Sequence, residues 1–214
     1  MTGRLLAIGD IHGCNHELKQ LLARIKVDPN ADTLVFIGDY IDRGPDVRGV
    51  IDTMIDLKKA CRNVICLKGN HEAMFLDFYL EGRGEELFLS NGGWSTLSSY
   101  GLTLADTRKG TGLPEGHLGF LTSLALCHET RDYLFVHAGL RPGLPLAEQS
   151  PDDLLWIRHE FIASDFDFGK TVVFGHTPLH APLLEENKIG IDTGAVYGGK
   201  LTCIELPSRR IYQA

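Results

Sequence analysis

The chain has 214 residues, of which 43% are apolar and 23% charged, with a formal net charge of -7. This length suits one globular domain, 1-214, with a sizeable core; no run reaches the roughly eighteen apolar residues of a membrane span, and an acidic chain without a basic stripe is a poor partner for nucleic acid. Five cysteines without a CxxC pair argue against a disulfide framework or a thiolate zinc site, and only residues 5 to 8 are apolar before Gly9, too few for a secretory signal, which predicts a cytoplasmic location.

Residues 5 to 8 form a short apolar run of strand length. A helical pattern follows, with Leu18, Leu21, Leu22 and Ile25 on one face and Asn15 placed to cap it. A second apolar run at 34 to 37 precedes another helical face made by Val47, Val50, Ile51, Met54 and Ile55, with Pro45 in its first turn. The third run, 64 to 67, leads to a helix over 72 to 80 carrying Met74, Phe75, Phe78 and Tyr79. Repeated strand, loop and helix predicts an α/β fold with parallel strands, whose ligands collect beyond the strands' carboxyl ends. Residues 81 to 130, rich in glycine, serine and threonine, read as helices and loops forming a cap or a substrate-facing rim. Strands return at 133 to 136, 171 to 174, 189 to 191 and 201 to 206.

Five polar clusters stand at the ends of five of these strands: GDIHG at 9 to 13, GDYIDRG at 38 to 44, GNHE at 69 to 72, HAG at 137 to 139 and GHT at 175 to 177. In extended chain Asp10 and His12 point to the same side, which suits a shared metal ion. Asp39 has two carboxylate oxygens with which to bridge two ions, and Asn70, His137 and His176 would complete the second ion's shell. Such oxygen and imidazole donors, without thiolate, suit manganese, iron or zinc in a catalytic role. Singly, each cluster has a plainer reading, Asp10 as a helix cap and His137 or His176 as a hydrogen-bonded core histidine. Five successive strand ends bearing aspartate, asparagine and histidine favour the joint one. The remaining histidines (His16, His117, His128, His159, His180) are assigned surface or supporting places, Asp152, Asp153, Asp165 and Asp167 solvated ones, and Trp94 the core in preference to a substrate groove.

The segments GDIHG, GDYIDRG and GNHE, with the later HAG and GHT and the closing VVFGHTPLHAPL and IGIDTGAVYGGKLTCIEL, resemble the phosphoprotein phosphatases among the calcineurin-like metallophosphoesterases, especially the compact bacterial and phage-lambda-like members. The resemblance implies a central β-sandwich flanked by helices, with a dimetal site at the carboxyl ends of strands. It implies two divalent ions, manganese first and iron or zinc as alternatives, held by Asp10, His12, Asp39, Asn70, His137 and His176. It also implies His71 as general acid oriented by Asp42, and phosphate binding by Arg43, by Arg158 in the WIR segment and by Asn70. The expected chemistry is direct attack by a hydroxide bridging the ions, with His71 protonating the leaving group.

Asp42 and Glu72 are retained where symmetrical dinucleoside tetraphosphatases typically carry alanine and aspartate, so the expected substrate is a phosphoprotein or phosphopeptide, at serine or threonine and also at tyrosine. The alternatives are a dinucleoside polyphosphate of the diadenosine tetraphosphate type and a small phosphate ester. A non-catalytic scaffold is opposed by the complete set of expected ligands.

Overall fold

The structure, a computed structural model, describes residues 3–214. Its ten strands are β1 (Leu5–Ile8), β2 (Thr33–Phe36), β3 (Asn63–Cys66), β4 (Cys127–Glu129), β5 (Tyr133–Val136), β6 (Thr171–Phe174), β7 (Leu183–Leu184), β8 (Lys188–Gly190), β9 (Thr202–Leu206) and β10 (Arg210–Gln213). The helices are α1 (Asn15–Ile25), α2 (Val47–Ala60), α3 (Asn70–Glu81), α4 (Glu85–Phe88), α5 (Trp94–Tyr100), α6 (Leu104–Arg108), α7 (Glu115–Thr122), α8 (Pro151–Trp156) and α9 (His159–Ile162).

Alternation along the strands sets the architecture. In β1, Leu6 and Ile8 belong to one apolar cluster and Ala7 to another; in β2, Leu34 and Phe36 divide from Val35 in the same way. Strands apolar on both faces must be covered on both. Two five-stranded mixed sheets achieve this, in the orders β10-β9-β1-β2-β3 and β4-β5-β6-β8-β7. Ala7, Val35 and Ile204 of the first sheet meet Phe135, Val173 and Ile189 of the second in the layer between them. Outside the first sheet, Leu6, Phe36 and their neighbours pack on Leu18, Val50, Met54 and Phe75 from α1, α2 and α3. Outside the second, Val136, Val172 and Phe174 pack on Leu154 and Phe161 from α8 and α9. The expected sandwich flanked by helices is therefore present, and no described helix is long and apolar enough to cross a membrane.

β1, β2 and β3 run parallel, as do β5, β6 and β8. Their carboxyl ends point Asp10, Asp39, Asn70, His137 and His176 into one region. Several local expectations are corrected. Asn15 does not cap α1: it lies within the first turn, where its amide donates to Asp46 (2.7 Å) and accepts from Thr53 (2.9 Å), tying α1 to α2. The cap of α2 is Asp46, whose carboxylate accepts the Gly49 N–H, so Pro45 falls just before the helix. α3 begins at Asn70, two residues earlier than the apolar periodicity alone marks, because the Glu72 carboxylate takes the Gly69 N–H at its start. The rim expected over 81 to 130 is four short helices and, at 89 to 93, a wide turn containing Gly92 at φ 100°.

Candidate metal centre

Asp39 occupies the middle of the site. Its Oδ2 is 3.3 Å from His12 Nε2 and 3.9 Å from His71 Nε2, and its Oδ1 is 3.5 Å from His137 Nε2. Two groups of donor atoms result, His12–Asp39–His71 and Asp39–His137–His176, each gathered within 4.8 Å and both containing Asp39. One buried carboxylate thus serves two adjoining donor clusters.

The imidazoles are pre-set for that use. His12 Nδ1 lies 2.8 Å from the Ile41 carbonyl and His137 Nδ1 3.0 Å from that of Ile37, so each places its proton on Nδ1 and turns the Nε2 lone pair inward. Asn70 Oδ1 faces His137 Nε2 at 2.9 Å, completing an acceptor-rich corner. Both ring nitrogens of His176 are buried without a hydrogen-bond partner among the described residues. Leaving such groups unpaired costs about 1–3 kcal/mol, and a divalent cation would take up the ring nitrogen that carries the lone pair. Burial, then the neighbouring His137, pushes the His176 pKa down to about 2, so the ring stays neutral with one nitrogen lone pair free. Burial opposes the charge on Asp39, but the facing imidazoles of His137, His71 and His12 hold its carboxyl well below the usual range. The donor set fits metal ions.

Asp10 lies beside these groups. It joins neither donor group: its oxygens accept the His176 backbone N–H at 3.0 and 3.2 Å, the nearest donor to a buried carboxylate. Gly175 permits that approach, since a Cβ there would lie 2.1 Å from Asp10 Oδ1. Burial, reinforced by Asp192 and Asp39, pushes the Asp10 carboxyl well up. The backbone here is not the extended chain expected, because His12 sits at φ 44° in the left-handed region.

That strain is shared. His12, Asp39, Asp42, Arg43 and His176 all have φ between 44° and 68°, while among the other described non-glycine residues only Lys26 and Arg209 have positive φ. Such backbone persists where surrounding bonds over-determine it. Glu72 supplies four of them: its carboxylate accepts the N–H groups of Asp39 (3.0 Å), Tyr40 (2.8 Å), Ile41 (3.2 Å) and Gly69 (2.9 Å). Beside this loop His71 Nδ1 bonds Asp42 Oδ2 at 2.7 Å, both side chains fully buried.

Arg43 places Nη1 2.8 Å from His12 Nε2 and lies over the Tyr197 ring, 5.6 Å from its centroid. Arg158, exposed at the start of α9, has no side-chain hydrogen bond among the described residues, yet its charge acts on His176. Around the mouth stand Trp156, whose ring is 6.1 Å from that of His176, and the exposed Tyr197 beside Arg43. Trp94 is 57% exposed, so its expected place in the core is corrected.

Two buried residues escaped the sequence reading. Asp192 follows β8 as Asp10 follows β1, a sixth instance of the strand-end pattern, and burial raises its pKa against the opposing Gly194 N–H. Thr96, on α5, bonds Asp42 from 54 residues away and leaves no local signal.

A dinuclear-type donor arrangement at the ends of parallel strands in a two-sheet sandwich defines a metallophosphoesterase. Residues 3–203 match the calcineurin-like phosphoesterase family, and the chain belongs to it. It is 33% identical to serine/threonine-protein phosphatase 1 of Salmonella typhimurium over 91% of this chain and 88% of that one. It is 29% identical to the asymmetrical bis(5'-nucleosyl)-tetraphosphatase PrpE of Anoxybacillus flavithermus, over 94% and 89%. A solved structure of a candidate diadenosine tetraphosphatase superposes with a TM-score of 0.78 at 27% identity, covering 100% of this chain and 94% of that one.

Proposed function

We propose that Asp10, His12, Asp39, Asn70, His137 and His176 hold two divalent ions, manganese first, and that the chain hydrolyses phosphoserine and phosphothreonine in proteins, with phosphotyrosine as a further substrate. Ions bound there would polarise the phosphoryl oxygens and make a water nucleophilic near neutral pH. The observation that carries the reading is the buried His71–Asp42 pair beside Asp39. Asp42 fixes the proton on His71 Nδ1 and with it the direction of Nε2. Nε2 faces the donor clusters and can hand its proton to a departing oxygen. A serine or threonine alkoxide needs that proton; a phenolate with electron-withdrawing substituents scarcely does. Arg43, whose planar fork already reaches the site, and the exposed Arg158 supply paired donors for phosphate oxygens, with the Asn70 amide beside them.

A second reading, hydrolysis of a dinucleoside tetraphosphate, is supported by the relatives of that name and by the exposed faces of Trp156 and Tyr197 beside His176 and Arg43, on which a base can stack. The test compares a phosphoserine peptide, a phosphotyrosine peptide and diadenosine tetraphosphate on the manganese-loaded protein. A higher kcat/KM on the dinucleotide overturns the first reading. His71→Asn is expected to lower kcat on the phosphoserine peptide by about 10²-fold or more and on p-nitrophenyl phosphate far less. Equal losses would remove His71 as the acid.

A further inference from the structure

The Asp42 carboxylate is fully buried, and its two oxygens divide their work. Oδ2 accepts from His71 Nδ1; Oδ1 accepts from the Thr96 hydroxyl at 2.5 Å. The same hydroxyl oxygen accepts the Asp42 backbone N–H at 3.0 Å. One threonine side chain, 1% exposed, thus closes a ring with both the backbone and the side chain of Asp42, which sits at φ 68°. Among the described residues no other group bonds Oδ1 or that N–H. The adjoining chain supports the same loop: the Gly92 carbonyl accepts the Arg43 N–H at 3.2 Å, and Ser95 Oγ donates to the Arg43 carbonyl at 3.0 Å.

We infer that Thr96 is a positioning residue for the hydrolytic reaction: its hydroxyl fixes the rotamer and the left-handed backbone of Asp42, and through Asp42 the orientation of His71. The inference rests on the reading of His71 as acid. Three features favour it over simple packing. The hydroxyl, not the methyl, makes the contacts. It binds a residue that has no other way to pair the oxygen facing away from His71. And it acts where the backbone is strained, so loss of the two bonds frees Asp42 to relax toward an ordinary conformation. A valine there keeps the shape and removes both bonds.

The test measures kcat and KM of manganese-loaded Thr96→Val, Thr96→Ser and His71→Asn on a phosphoserine peptide and on p-nitrophenyl phosphate. Thr96→Val is expected to lose about tenfold in kcat on the peptide, the weight of one hydrogen bond to a charged group, with a loss below about threefold on the nitrophenyl ester and little change in KM. Thr96→Ser, which keeps the hydroxyl, is expected to restore the peptide rate. If valine does not fold, Thr96→Ala poses the same question with a smaller side chain. Equal losses on both substrates in the valine or alanine variant, or failure of serine to rescue, overturn the inference. If His71→Asn itself loses equally on both substrates, the acid reading falls and the inference with it; if His71→Asn discriminates and the Thr96 variant does not, only the inference falls.

Discussion

Glu72 offers the most direct test of how the centre is built. Its Oε2 accepts the N–H groups of Asp39 and Gly69, its Oε1 those of Tyr40 and Ile41, and the carboxylate is fully buried. Glu72→Gln preserves volume and shape but replaces one oxygen by an NH2, which cannot accept. Whichever way the amide is turned, two backbone N–H groups lose their acceptor and face a donor. At about 1–3 kcal/mol for each buried unpaired group, the cost is about 4 kcal/mol. For a chain of this size that lowers Tm by roughly 8–16 °C. Glu72→Ala orphans all four groups, a loss of the order of the whole stability of a typical domain, and should not accumulate as folded protein. The measurement is thermal unfolding followed by circular dichroism, in chelator and again with manganese. The glutamine variant should also bind manganese more weakly, since the backbone of Asp39 is one of the two groups held by Oε2. A fall in Tm below about 4 °C would refute the reasoning, because it would mean the loop keeps its conformation without the carboxylate.

Manganese added to the metal-free protein at about a hundred times its Kd should stabilise it by about 2.7 kcal/mol, and His176→Ala should abolish most of that shift, because the ring offers two buried nitrogens with no other partner; a shift equal to wild type would remove His176 from the metal site. Lys188 is a buried cation whose Nζ donates to the carbonyls of Ile162 (2.9 Å) and Ser164 at the end of α9, with Phe161 O at 3.5 Å. Lys188→Met strips charge from a helix carboxyl end and leaves those carbonyls short of a donor, for an expected loss of about 3 kcal/mol; an unchanged melting curve would show that the ammonium contributes only its packing.

The strands and the site's principal residues were legible because their signals are local. β1, β2, β3, β5 and β6 are short apolar runs ended by glycine or a polar cluster, and the residues immediately beyond them include the six expected ligands. Other features depend on distant partners and left no periodic trace. Asn15 resembles a helix cap until Asp46 and Thr53 are found beside it. α3 starts at Asn70 because the Glu72 carboxylate reaches back to Gly69, whereas the apolar face begins only at Met74. The direction of Asp10 depends on a backbone N–H 166 residues away. β4 and β7 are too short for alternation to register, and β10 is an edge strand whose first two residues are exposed. Asp192 was readable in principle, since it repeats the pattern of an acid directly after an apolar strand; Thr96 was not, since nothing within its own helix sets it apart from Ser95, Ser98 or Ser99.

The loop from Asp39 to Gly44 shows why the legible and illegible parts belong together. Asp39, Asp42 and Arg43 all occupy left-handed conformations that cost energy for residues with a Cβ. Nothing in the sequence of the loop stabilises them; glycine or asparagine would adopt such backbone more cheaply, but neither supplies a carboxylate or a guanidinium. The stabilisation comes from elsewhere: Glu72 on α3 takes the N–H groups at one end, and Thr96, Gly92 and Ser95 hold Asp42 and Arg43 at the other. Asp39, which joins the two donor clusters, and Asp42, which bonds His71, are therefore fixed by different elements of the fold although only two residues separate them. A segment that must aim one side chain at the donor clusters and the next at His71 cannot do both as regular strand or helix, where successive directions are set by a fixed period. Chemistry demands the irregular backbone, and the remote carboxylate and hydroxyl make it the stable one.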